Sequence, residues 1–267
     1  MLKVGLIGFG AIGQDVAHYI NNNVAGDVIL AGILVRNKDK YEKPNKECVV
    51  CDKEEDFFAL GLDVVVESAG HQAVYEYGVK SLEAGCDFIT VSVGAFSDAD
   101  LLEEVEHAAR ASKKQLILPS AAIAGLDRIA SSVFNEIDEI KLVTRKPIQA
   151  WRGTIAEEIV NLDEIQGKTL IYEGTARESA KMFPESTNVS AALSMAGIGF
   201  DETKVQVFAD PTVRNNTHQI IAKGYFGEVK FDVQNTPSAA NPKSGYIVAM
   251  SICKVLKNLT SPIVVGI

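Results

Sequence analysis

The apolar positions of the first 120 residues fall into short blocks of two kinds. Leu2–Ile7, Val28–Val35, Asp63–Glu67, Asp87–Val91 and Gln115–Leu118 are near-continuous apolar runs of strand length. Between them apolar residues recur at helical spacing, as in Ile12, Val16, Ala17, Tyr19 and Ile20. The same spacing predicts helices over Lys53–Leu60, Gln72–Ala84 and Asp98–Ser112, with Gly85 as a C-terminal stop for the second. Asp52, with Glu55 three residues on, reads as a capping box for the first of these. Cys48–Cys51 predicts a short strand, and the charged stretch Lys38–Lys46, broken by Pro44, a loop. Strands without polar alternation, each followed by a helix, predict a parallel sheet buried on both faces.

The pattern changes after Ala121. Leu126–Phe134, Thr175–Met182 and Val189–Ala196 predict helices, and Glu139–Thr144 a strand. Lys204–Ala209, His218–Gly224 and Glu228–Val233 alternate with period two, which predicts an antiparallel sheet. The segment from Lys146 to Gly167, with Pro147, Trp151 and two glycines, carries no readable period. Gly245–Leu259 predicts an amphipathic closing helix. Three parts are expected: a nucleotide-type domain over 1–121, an α+β domain over 122–244, and a C-terminal helix over 245–267 that could return to the first domain.

The first strand runs directly into Gly8-Phe9-Gly10-Ala11-Ile12-Gly13, a G-x-G-x-x-G pattern set between a strand and a helix. Each glycine has a physical reason. Gly8 permits the tight turn, Gly10 lets a pyrophosphate reach the backbone, and Gly13 lets helix and strand approach. Ala11 and Ile12 open the helix whose N–H groups would face that charge. The fold class expected is therefore α/β, a Rossmann-type doubly wound parallel sheet followed by an α+β domain, with NAD or NADP as cofactor.

Ligands of such sheets bind beyond the carboxyl ends of the strands. That rule selects Glu67-Ser68-Ala69-Gly70-His71, Ser92-Val93-Gly94-Ala95-Phe96 and the stretch from Pro119 to Gly125. All are rich in small residues, and Ala69 and Gly70 are taken as cofactor contacts. Arg36-Asn37 ends the second strand, where enzymes confined to NAD usually carry an acid for the ribose 2′-hydroxyl. An arginine there suits a 2′-phosphate or the face of adenine.

The formal net charge of −9 argues against nucleic-acid and anionic-membrane partners. No apolar stretch approaches the ~20 residues needed to span a bilayer. Met1 leads straight into the first strand, leaving no room for a leader, so a cytoplasmic location is expected. Cys48 and Cys51 have C-x-x-C spacing, but Cys86 and Cys253 stand alone. A structural zinc site needs a second pair, so no metal is expected. Of four histidines, His18 and His107 read as surface residues and His71 opens a helix in a cofactor-side loop. His218 lies at a loop-to-strand junction of the second domain, where a proton-handling group with a near-neutral pKa is needed.

Several stretches resemble the L-aspartate dehydrogenase family. They are Gly5-Leu-Ile-Gly-Phe-Gly-Ala-Ile-Gly13, Ser92-Val-Gly-Ala-Phe96, Pro119-Ser-Ala-Ala-Ile-Ala-Gly-Leu-Asp127 and Thr144-Arg-Lys-Pro147. Asn188-Val-Ser-Ala-Ala-Leu193, Asn216-Thr-His-Gln-Ile220 and Asn241-Pro-Lys-Ser244 extend the likeness through the chain. The resemblance implies that Ala122 and Asn188 bind the dinucleotide and that His218 is the active-site histidine. It implies oxidation of L-aspartate to iminoaspartate, which hydrolyses to oxaloacetate and ammonia or feeds quinolinate and NAD biosynthesis. It also implies a homo-oligomer, a dimer favoured. Arg145, Lys146 and Lys243 are candidate cations for the two substrate carboxylates. Ala121 departs from the glycine common at that position, and Ile148–Lys168 is long for the family. Dihydrodipicolinate reductases and homoserine dehydrogenases share the two-domain plan. However, the paired-histidine run with a D-A-P-S-G stretch of the former is missing, and no lysine motif matches the latter. A dinucleotide-sensing regulator without turnover would lack a proton-handling residue in the His218 position.

Overall fold

A computed structural model describes residues 1–183, 187–239, 241 and 244–266. The chain forms two compact units, Met1–Ala121 together with Ser238–Ile267, and Ala122–Pro237. In the first unit the strands are β1 (Leu2–Ile7), β2 (Val28–Leu34), β3 (Val49–Cys51), β4 (Val64–Glu67), β5 (Asp87–Thr90) and β6 (Leu116–Ile117). They form one parallel sheet in the order β3-β2-β1-β4-β5-β6, which is the doubly wound arrangement. The direction of winding reverses between β1 and β4, so the crevice beyond Ile7 and Glu67 is the switch point.

The connections are helical: α1 (Ala11–Asn21), α2 (Glu54–Phe58), α3 (His71–Glu83) and α4 (Ala99–Ser112). Asp98 caps α4 by accepting from the Asp100 and Leu101 amides. The capping box expected at Asp52 does not form. Lys53 is the N-cap of α2 and makes no side-chain cap, while the Asp52 carboxylate accepts from Lys38 Nζ at 3.1 Å. A nearby ammonium outcompetes backbone amides for that carboxylate. Inward residues of β1, β2 and β4 pack with Val16, Ala17 and Ile20 of α1. Val248, Ala249, Ile252 and Leu256, from the helix Ile247–Thr260, complete the same buried cluster. That helix is held further where Ser251 Oγ accepts from the Ala121 amide at 3.2 Å. Ala121 adopts φ +47°, a left-handed conformation that favours glycine. The four cysteines are buried, and burial pushes the Cys48 thiol up to about 11. No helix among the described residues is long and apolar enough to cross a membrane.

The second unit carries the remaining strands: β7 (Ile137–Lys146), β8 (Thr169–Thr175), β9 (Lys204–Ala209), β10 (Thr217–Gly224) and β11 (Gly227–Gln234). Its helices are α5 (Leu126–Ser132), α6 (Ala156–Ile159), α7 (Ala176–Met182) and α8 (Thr187–Ala196), and Ile247–Thr260 of the first unit is α9. The sheet runs β11-β10-β7-β9-β8 and is mixed, because β7 and β9 are parallel. The period-two reading predicted an antiparallel sheet. Periodicity reports which face is buried and is silent on strand direction. β8 escaped the sequence reading because its register shifts between Leu170 and Tyr172, which places Ile171 and Tyr172 both in buried positions. A full capping box joins Thr175 and Glu178 at the start of α7. Cross-strand register puts Ile140 opposite Ala222, Leu142 opposite Ile220 and Val205, and Thr144 opposite His218 and Val207. These residues line one buried face of the sheet, and His218 stands at its end.

Candidate active site

The glycine turn is built as its sequence requires. Gly8 has φ +89°, and a Cβ there would lie 2.7 Å from Ala69 Cβ. A Cβ at Gly13 would lie 2.5 Å from the Gly8 carbonyl oxygen, so this glycine sets the contact between helix and turn. Gly10 differs from both. It is the N-cap of α1 with φ −76° and ψ −162°, and a Cβ there would meet nothing within 4 Å. Helix geometry leaves the first amides of α1 outside its own ladder, and no side chain caps them. No acidic residue stands in that first turn. Open space in front of uncapped amides at an 11-residue helix fits an anionic pyrophosphate.

The other dinucleotide candidates of this unit surround the turn. The Gly8 amide donates to the Leu34 carbonyl at 3.0 Å, which ties the turn to the end of β2. Arg36 lies two residues beyond that end, exposed, and close enough to Tyr77 for its charge to act on the phenol. Asn37 is exposed too, but its side chain accepts from the Asp39 amide and caps a short turn over Lys38–Lys40. The Ser68 amide donates to the Ile7 carbonyl at 3.0 Å, so the loop after β4 lies against the turn after β1. Ala69 is exposed there, and Gly70 holds φ +119° where the loop enters α3. The amides of Ala69 and Gly70 both donate to Glu67 Oε1, at 2.6 and 2.7 Å. In the sequence Glu67 is placed at a strand end and at the start of a ligand-side loop, with no role of its own.

Ala122, Asn188 and His218 belong to the second unit. The Ala122 carbonyl accepts from Asn235 Nδ2 at 2.7 Å, just beyond the end of β11. Since Gln234 pairs with Thr217, Ala122 and His218 lie at the same end of this sheet. Asn188 is exposed in the first turn of α8. Thr144 Oγ1 and His218 Nδ1 are 3.0 Å apart, which fixes the imidazole ring. Thr144 had no role in the sequence reading beyond its place in a motif. Burial, with the Lys146 charge adding to it, lowers His218 to about 4. That replaces the expectation of a near-neutral titration. At pH 7 the imidazole is uncharged and one ring nitrogen is bare.

The candidate carboxylate-binding cations are placed differently from one another. Arg145 Nη1 lies 3.5 Å from Asp210, a buried carboxylate. Burial would raise Asp210, but the Thr212 hydroxyl and amide with the Arg145 and Lys168 charges hold it below its ordinary value. The ammonium of Lys146 sits 4.6 Å over the Trp151 ring. Trp151 is buried, and its indole Nε1 has no hydrogen-bond partner. Lys243 lies outside the described residues.

Comparison with known proteins agrees along the whole chain. A family model described as the aspartate dehydrogenase C-terminal domain matches residues 127–259. One described as the homoserine dehydrogenase NAD-binding domain matches residues 8–119. L-aspartate dehydrogenase of Methanococcoides burtonii is 37% identical over 273 aligned residues, covering 100% of each chain. That of Methanosarcina barkeri is 38% identical over 275, again covering 100% of each. The crystal structure of aspartate dehydrogenase from Thermotoga maritima matches 100% of each chain with a TM-score of 0.81 at 26% identity. On these full-length relatives and the shared two-unit architecture, the chain belongs to the L-aspartate dehydrogenase family.

Proposed function

We propose that the protein oxidises L-aspartate to iminoaspartate with NAD or NADP, the imine then hydrolysing to oxaloacetate and ammonia. The observation that carries this reading is the buried Thr144–His218 pair, within a chain that matches L-aspartate dehydrogenases from end to end. When bound, the dinucleotide supplies the acceptor for the hydride that leaves the amine-bearing carbon. Gly8, Gly10, Ala11, Ile12 and Gly13 would hold its pyrophosphate, with Ala69 and Gly70 against its flat end and Arg36 and Asn37 toward the adenosine. Ala122 and Asn188 are carried over from the family resemblance as further contacts.

The chemistry left to the protein concerns a proton and two carboxylates. Free aspartate is an ammonium at neutral pH, and hydride departs only from the neutral amine. His218 is uncharged at that pH and can take the proton at a ring nitrogen, while Thr144 holds Nδ1 in place. With a pKa near 4 it is a weak base in the unliganded protein. A bound dicarboxylate brings negative charge next to it and raises its proton affinity when the proton must move. Arg145, which pairs with Asp210, and Lys146, whose charge acts on His218, are the candidate cations for those carboxylates, with Lys243.

In this reading the enzyme is a cytoplasmic homo-oligomer, a dimer favoured, and its imine product enters NAD biosynthesis. The test is reduction of NAD and NADP by the purified protein across a panel of amino acids at several pH values. Turnover confined to L-aspartate supports the proposal. Turnover of homoserine, or dinucleotide binding without turnover of any substrate, refutes it.

A further inference from the structure

Glu67 ends β4 at the switch point of the first sheet, and its side chain is fully buried. Among the described residues no lysine or arginine pairs with it; four neutral donors do. The amides of Ala69 and Gly70 donate to Oε1 at 2.6 and 2.7 Å, and Ser92 Oγ donates to the same oxygen at 3.1 Å. Thr90 Oγ1 donates to Oε2 at 2.5 Å. Thr90 Oγ1 itself accepts from the Ser92 amide at 3.0 Å, which directs its own proton toward the carboxylate. Among the described residues every hydrogen bond to the carboxylate therefore comes from one of two places. Ala69 and Gly70 belong to the loop after β4, and Thr90 and Ser92 to the end of β5 and the loop after it.

Burying a carboxylate without a cation is unfavourable, and an apolar residue would fill a strand end at less cost. What an apolar residue cannot do is gather amides and hydroxyls from two loops onto one point. The first loop abuts the glycine turn, where Ala69 Cβ stands 2.7 Å from the place a Gly8 Cβ would take. The two amides point inward at Glu67, which leaves the Ala69 methyl and the Gly70 backbone edge as a surface that suits a flat ring.

We propose that Glu67 is a positioning residue for the dinucleotide, clasping the loop after β4 to the loop after β5 and so fixing the surface on which the cofactor's flat end lies. The inference rests on the dinucleotide reading of the glycine turn.

The experiment is fluorescence titration of purified protein with NADH and NADPH, alongside thermal melts of each variant and steady-state KM for both substrates. Glu67→Ala removes all four contacts and is expected to raise the NADH Kd by about tenfold or more, with KM for aspartate changed less than about threefold. Glu67→Gln can keep its amide oxygen on the Ala69, Gly70 and Ser92 donors and present its NH2 to Thr90. It is expected to restore Kd to within about threefold of wild type, whereas Glu67→Met, which fills similar space without those hydrogen bonds, is expected to bind as weakly as Glu67→Ala, and a folded Met variant with wild-type Kd overturns the proposal. A folded Ala variant with wild-type Kd, beside a Gly10→Val control that binds weakly, overturns the inference and leaves the dinucleotide site standing. A wild type that binds neither dinucleotide overturns both. If the Ala variant does not fold, Ser92→Ala decides. It cuts only the tie to the second loop and is expected to raise Kd about threefold, and an unchanged Kd overturns the proposal.

Discussion

Replacing Gly10 with valine should separate binding from folding, because the structure gives the two processes opposite demands at this position. In the folded protein the backbone is extended, at φ −76° and ψ −162°, and an added Cβ meets no atom within 4 Å. No side-chain cap is lost, since glycine provides none. The remaining penalty is that valine is a poorer N-cap than glycine, up to about 1 kcal/mol. In a protein of this size that lowers Tm by roughly 2–4 °C. Binding should suffer far more. The valine methyls would occupy the space in front of the first amides of α1, where pyrophosphate oxygens must come within hydrogen-bond distance. Losing one charge-assisted hydrogen bond of about 1.5–3 kcal/mol weakens binding roughly 10- to 150-fold. Gly13→Ala is the contrasting control. Its Cβ would sit 2.5 Å from the Gly8 carbonyl oxygen, so it should lower both stability and affinity. The assay is NADH fluorescence titration beside a thermal melt. A folded Gly10→Val protein with unchanged Kd would refute the placement of the pyrophosphate at this helix.

Two further outcomes follow from the side chains. Arg36 is exposed at the end of β2 with no acidic residue beside it in sequence, so the wild type should use NADP as well as NAD. Arg36→Asp should raise KM for NADP at least about tenfold and that for NAD far less, since it sets a like charge against the 2′-phosphate; equal effects on both cofactors would count against that contact. His218→Ala should lower kcat for aspartate by roughly 10²–10⁴ while leaving NADH affinity nearly unchanged. The same residue makes a stability prediction. Its folded pKa of about 4 lies below the ordinary value of 6.5, so the unfolded chain binds more protons between those limits. Stability is then full above pH 6.5 and is lost as pH falls toward 4, by about 3 kcal/mol from this residue. Urea melts of wild type and His218→Asn across that window should differ in slope, and parallel curves would show that the imidazole is not held neutral by burial.

What could be read from the sequence divides along a physical line. Backbone constraints leave local marks. Gly8, Gly10 and Gly13 must stand at fixed intervals between a strand and a helix, so the turn could be placed from thirteen residues. The parallel sheet was legible for the same reason, because strands covered on both faces lose polar alternation. The bulged β8 was not, since one extra residue breaks the very period by which a strand is recognised. Strand direction in the second sheet leaves no mark on periodicity at all.

Side-chain chemistry behaves differently, because its partners are brought in from a distance. Thr144 and His218 are 74 positions apart and meet only because β7 and β10 pair in one register. The resemblance to a family pointed to the histidine, but only the register reveals the hydroxyl that orients it and the burial that empties it of charge. Glu67 is the stronger case. In sequence it is a glutamate after three valines, as fit for solvent as for anything else. In the fold it lies beneath two loops, and four donors from them and from the end of β5 turn toward it. A glycine motif announces where a dinucleotide touches the chain. The groups that hold the touching surface still are chosen by what the sheet places beside them, and for this protein that choice falls on a carboxylate at the reversal point of the winding.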